Sequence, residues 1–129
     1  MFIGMGYPSR MPGICNVERI GKKAKPMKII RSHEFTGESA WDSIGIANMN
    51  GITTKLHWTD KPYKWHVNDG EEVFAVLAGR VEMLYREGGK EFSTVLNPGD
   101  VFFASVGTEH VAHPIGEARI LVVEREGSV

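Results

Sequence analysis

The feature that most constrains the fold is a series of short β-favouring segments, which begins near residue 51 and is punctuated by turn residues. Residues 52–58 alternate in character, as a half-buried strand does. Residues 73–77 form a continuous apolar run, which predicts a strand buried on both faces. Further strands are predicted at 81–85, 92–96, 101–104, 110–112 and 119–124.

The connections between these segments carry strong turn signals. Residues 87–90 (EGGK) are typical of a hairpin, and residues 97–100 (NPGD) of a tight turn. No segment has the capped, amphipathic pattern of a helix of about three turns. Short strands at such regular spacing are typical of a β-sandwich or barrel, so the sequence predicts an all-β fold.

The chain has 129 residues, the size of one ordinary domain, but its charge is divided unevenly. Residues 1–31 contain seven Lys or Arg and one Glu, a net charge of +6, whereas residues 32–129 carry −7. We therefore expect a basic N-terminal arm and lead-in at 1–31 and a single barrel domain at 32–129. The basic run GKKAKPMK has no interleaved aromatic residues to stack on bases, so no nucleic-acid partner is expected.

Cysteine content and hydropathy bear on the compartment. Cys15 is the only cysteine, so no disulfide can form within the chain, which fits a reducing cytoplasm. No stretch approaches the ~20 apolar residues that span a bilayer. The N-terminus also lacks the basic start and apolar run of a signal peptide. The expectation is a cytoplasmic protein without a membrane partner.

Side chains able to bind a metal occur in residues 65–74 (WHVNDGEEVF) and at His110. Side chains two apart on a strand point to one face, so His66 and Asn68 share a direction. Glu72 opens the next strand and can face back towards them, and a charge that enters an apolar strand needs a partner. Two imidazoles and one carboxylate form a ligand set for a divalent transition metal such as Fe, Mn, Ni or Zn.

The other histidines are assigned no ligand role. His113 lies three residues after His110, on the opposite face of a strand. His57 shares a strand face with Lys55 and Thr59, and we expect it to line a rim or the surface. Cys15 has no base or motif beside it, so it is not predicted to be a nucleophile.

The two motifs resemble those of the cupin superfamily in its small, single-domain form. The first family motif has the form G-x5-H-x-H-x3,4-E-x6-G. Its first histidine, its glutamate and its closing glycine match here at His66, Glu72 and Gly79, with a Trp-His pair opening the motif. The second has the form G-x5-P-x-G-x2-H-x3-N and matches at Gly107 and His110. The resemblance covers roughly residues 50–125. It implies a double-stranded β-helix, a jelly-roll-like barrel, preceded by the N-terminal arm.

The sequence departs from the family pattern at several positions. Ser105 stands where a proline is expected, and Pro114 where an asparagine is expected. Asn68 replaces the second histidine of the first motif, which removes a strong ligand, since an amide oxygen holds soft transition metals weakly. The resemblance thus implies metal ligation by His66, Glu72 and His110. Asn68 is then a weak fourth ligand, a hydrogen-bonding neighbour of the ligands or a turn residue.

Three kinds of function fit such a barrel. It can be a metal-dependent enzyme, an oxygenase or an isomerase or lyase acting on a small organic molecule. It can bind or sense a small molecule without turnover, or have a structural or storage role with a degenerate pocket. The sequence favours a small-molecule cupin with a metal site and leaves open whether it is an enzyme. Unpaired sheet edges and opposite charges on arm and body also predict a homodimer.

Overall fold

The computed structural model describes residues 27–128, so most of the predicted basic arm lies outside the described residues. The chain divides into two units, with the boundary between Ile30 and Arg31. Residues 27–30, the described part of the first unit, have no regular secondary structure. In the described chain, no helix has the length and apolar character needed to cross a membrane.

The second unit is built from β-strands. After a single 3-10 turn at Ser32–Glu34, it contains seven strands: β1 (Asp42–Met49), β2 (Ile52–Thr59), β3 (His66–Val67), β4 (Glu72–Glu87), β5 (Lys90–Leu96), β6 (Val101–Ala104) and β7 (Glu109–Arg125). All of their pairings are antiparallel. The all-β prediction is confirmed.

Two long strands, β4 and β7, connect the two faces of the barrel. The first half of β4 pairs with the second half of β7, so that Glu72 lies opposite Glu124. The second half of β4 pairs with the first half of β7, so that Tyr85 lies opposite His110. At one end β2 pairs with β7 and β6 pairs with β4. At the other end β3 pairs with β7 and β5 pairs with β4. The core contains buried side chains from both ends: Phe74, Val76, Val81, Met83, Leu96, Ala112, Ala118, Ile120 and Val122.

The bend in β4 lies at Gly79. The β4–β7 register shifts on either side of Ala78, and Gly79 has a φ of +78°. A Cβ atom at this position would overlap the carbonyl oxygen of Glu117 and lie 3.0 Å from the Cα of Ala118. Glycine therefore allows β4 to turn from one end of the barrel to the other while remaining paired with β7.

Two expectations about strands are wrong in detail. The apolar run 73–77 is not buried on both faces, because Phe74 and Val76 point into the core while Val73 and Leu77 are 36% and 41% exposed. The outer face of an antiparallel sheet can be left open to solvent, so apolar content alone does not imply two buried faces. The predicted strands 110–112 and 119–124 are also one continuous strand, β7, with Pro114 and Gly116 inside it.

Candidate metal centre

Three separate elements bring the predicted ligands together. His66 in β3 lies directly opposite His110 in β7, and their ring centroids are 4.4 Å apart. Glu72 is the first residue of β4 and is buried, as is His110. One ligand atom from each of the three residues lies within 4.8 Å of the others. His66, Glu72 and His110 are thus close enough to hold a metal ion.

The two ring nitrogens of His110 both face oxygen atoms. Its Nε2 lies 3.2 Å from Glu72 Oε1, and its Nδ1 lies 3.4 Å from the carbonyl oxygen of Thr108. Both ring nitrogens therefore face acceptors, although a neutral imidazole has only one N–H to donate. A second proton on the ring or a metal ion beside Nε2 satisfies this arrangement. The donor set, two imidazole nitrogens and one carboxylate, fits a divalent transition metal.

His66 is oriented in the same way. Its Nδ1 lies 3.1 Å from the carbonyl oxygen of Lys64. A proton on Nδ1 donates to this carbonyl and leaves the lone pair of Nε2 free for a metal. Both histidines thus have a backbone carbonyl that selects the tautomer required of a ligand.

Asn68 lies beside the carboxylate of this cluster. Its Nδ2 donates to the carbonyl oxygen of Gly70 at 3.1 Å and lies 3.5 Å from Glu72 Oε1. Its Oδ1 is buried without a hydrogen-bond partner among the described residues. The amide nitrogen thus orients Glu72. Ligation of a metal by Asn68 stays a prediction.

The three residues open onto a cavity of about 230 Å³. Its walls also include Trp41, Lys55, His57, Tyr63, Phe74, Ala112, Val122, Glu124 and Ser128. A chain of ring contacts runs along one side, with centroid distances of 5.2 Å from His66 to Tyr63, 5.2 Å from Tyr63 to Trp41 and 6.0 Å from Trp41 to His57. Aromatic side chains thus form one wall of the cavity.

The placement of His57 corrects the expectation that it lines a rim or the surface. It lies opposite Ile120 in the β2–β7 pairing and faces the same cavity as the His66–Glu72–His110 cluster. Glu124 was missed altogether. The alternation of strand faces could have identified it. Glu124 lies two residues from Val122 and four from Ile120, so its side chain is on the same inward face of β7 as theirs. His113, by contrast, lies outside the cluster, opposite Glu82.

The cavity shifts the titration of two of these groups. Burial lowers the pKa of His57, so the neutral ring is favoured. Burial, followed in importance by the negative charge of Glu72, raises the pKa of Glu124 to about 7. The cavity therefore contains a neutral imidazole and a carboxyl group that can carry a proton near neutral pH.

Solved cupin structures share this fold. A cupin-2 domain protein from Shewanella frigidimarina matches with a TM-score of 0.62 and 26% identity, over 70% of this chain and 85% of that one. A cupin superfamily protein from Desulfitobacterium hafniense matches with a TM-score of 0.65 and 12% identity, over 80% and 94%. An oxalate oxidase matches with a TM-score of 0.54 and 21% identity, over 61% and 45%.

No protein-family model matches the sequence, and neither does any curated protein. The structural likenesses nevertheless agree with the all-β fold of this chain. The resemblance first drawn from His66, Glu72, Gly79 and His110 is confirmed at the level of the fold. The chain is a small protein of the cupin type, with an all-β barrel.

Proposed function

We propose that this protein binds a divalent transition metal through His66, Glu72 and His110 and uses it to bind or convert a small organic molecule in the adjoining cavity. The observation that carries the proposal is the buried His110–Glu72 pair, in which Nε2 and Oε1 lie 3.2 Å apart, together with His66, whose ligand atom lies within 4.8 Å of theirs. A metal there supplies a Lewis acid or redox centre with open coordination positions. Elemental analysis of protein purified without chelator tests this proposal directly.

The residues around such a site have separate roles. The carbonyl groups of Lys64 and Thr108 orient the two imidazole rings, and Asn68 orients the Glu72 carboxylate. Glu124 can accept or release a proton near neutral pH at the cavity wall. Trp41 and Tyr63 form part of the cavity wall beside the cluster. These features suit a metal-dependent oxygenase or isomerase.

The alternative function is a barrel that binds or senses a small molecule without turnover. Asn68 favours it, because a strong nitrogen ligand is missing at that position. The two alternatives differ in what they require of Glu124, since a proton carrier matters for turnover and matters little for simple binding. A Glu124→Gln variant that binds ligand normally but converts none would favour the enzyme.

Replacement of Asn68 with histidine is expected to increase metal retention. A third imidazole adds a fourth ligand, and divalent transition metals prefer its nitrogen to an amide oxygen. The wild-type protein should lose metal during dialysis to well below one ion per chain, whereas the Asn68→His protein keeps more of it. Metal content after dialysis, measured by plasma mass spectrometry, checks the difference. Equal retention in the two proteins would show that Asn68 does not weaken the site.

The protein is also predicted to be a homodimer. Residues 1–31 carry +6 and residues 32–129 carry −7, so the arm of one chain is attracted to the body of another. Deletion of residues 1–26 should weaken the dimer and leave the barrel folded. Light scattering at tens of micromolar, with circular dichroism as the folding control, measures both effects. A full-length chain that stays monomeric rules out the dimer, and unchanged dissociation after deletion rules out the role of the arm.

A further inference from the structure

Lys55 lies across the cavity from the His66–Glu72–His110 cluster. It lies opposite Val122 in β7, and Val122 lies opposite Phe74 in β4, two residues after Glu72. Two strand spacings of ~4.8 Å, together with two residues of ~3.3 Å each along the strand, separate the Cα atoms of Lys55 and Glu72 by ~12 Å. A ligand of several atoms can therefore contact both positions at once.

The ammonium group of Lys55 is available to a ligand. Among residues 27–128 it takes part in no ion pair, although six other Lys, Arg or His side chains do. The positive charge of Lys55 acts to lower the pKa of Glu124, although the two side chains form no ion pair among the described residues. The side chain lines the cavity while remaining partly open to solvent.

The charges in the cavity favour an anion once a metal is present. A divalent ion and Lys55 outweigh the negative charges of Glu72 and Glu124, even with both carboxylates ionised. The cavity wall also includes a neutral imidazole, His57, two residues from Lys55 on the same strand, and the hydroxyl of Ser128. The Nδ1 atom of His57 is buried and has no hydrogen-bond partner among the described residues. An incoming group that exchanges hydrogen bonds with these residues satisfies that nitrogen.

We propose that Lys55, assisted by His57, is a specificity-determining subsite that binds a carboxylate group at the end of the ligand remote from the metal. This inference rests on the proposed function, since the metal takes the other end of the same molecule. A single ammonium with one imidazole suits a singly charged carboxylate, whereas a phosphate dianion calls for more donors than these two residues provide. The ligand is therefore a small organic acid with a second polar group several atoms away.

The test uses succinate and its uncharged analogue succinamide as probes. Calorimetric titration of the full-length, Zn²⁺-loaded protein should show tighter binding of succinate. Lys55→Met keeps an unbranched apolar side chain and removes the ammonium group, so it should weaken succinate binding about tenfold, the effect of losing one partly solvated charge-assisted contact. Succinamide binding should not change. Lys90→Met, in the β4–β5 hairpin and outside the cavity walls, is the matched control and should alter neither affinity.

Several results overturn the subsite. The first is that the wild-type protein binds succinate no more tightly than succinamide. The second is that Lys55→Met weakens the binding of both probes equally, or of neither. Metal content is measured in parallel, so that failure of the metal site is seen separately. If the protein holds no metal, the same titrations on metal-free protein decide the matter: a succinate-selective loss in Lys55→Met retains the subsite, and its absence removes it.

Discussion

Replacement of either His66 or His110 with alanine is expected to abolish metal binding. Loss of an outer hydrogen-bond partner of a metal ligand alone costs ~10–100-fold in affinity, and removal of the ligand itself costs more. The remaining two ligands hold a divalent ion too weakly to survive dialysis. His110→Ala has a second effect, because it leaves the Glu72 carboxylate buried without its partner at 3.2 Å. Metal content after dialysis and competition with a chromophoric chelator measure the loss.

His113→Ala is the matched control for this experiment. His113 lies in the same strand as His110 but opposite Glu82, outside the cluster. The variant should retain metal to the same extent as the wild type. If it loses metal while circular dichroism shows an intact barrel, the assignment of His113 to the opposite strand face is wrong.

The convergence of His66, Glu72 and His110 was predictable from sequence because strand parity and motif spacing act together. His66 and Glu72 are separated by one short turn, so their convergence depends on local geometry alone. His110 lies far along the chain, and only the family spacing around Gly107 linked it to the other two. The register confirms that link by placing His66 opposite His110.

The rest of the cavity was not predictable in the same way. Lys55, His57 and Glu124 line it because β2 pairs with the second half of β7, which in turn pairs with the first half of β4. Nothing local in residues 52–59 identifies that partner, so the sequence predicts a rim or surface position for His57. The burial of residues 73–77 was mispredicted for a related reason, since only the sheet order reveals that Val73 and Leu77 face outward.

Gly79→Ala is expected to destabilise the barrel severely. An alanine there adopts a φ of +78°, which costs ~1–2 kcal/mol for an L-residue, and its Cβ meets the Glu117 backbone, which cannot move without separating β7 from β4. Together these effects should lower the free energy of unfolding by about 4 kcal/mol or more, a range reached by few single substitutions. Urea denaturation followed by circular dichroism measures the change.

Gly116→Ala separates the two contributions. Gly116 lies in the bend of β7 with a φ of +79°, almost the same as that of Gly79, but an added Cβ has no neighbour within 4 Å. Its substitution should therefore cost only the left-handed conformation, ~1–2 kcal/mol. The difference between the two variants measures the close approach of β4 to Glu117. If both variants lower the free energy of unfolding equally, the contact with the Glu117 backbone adds nothing. The positive φ alone then accounts for the glycine at position 79.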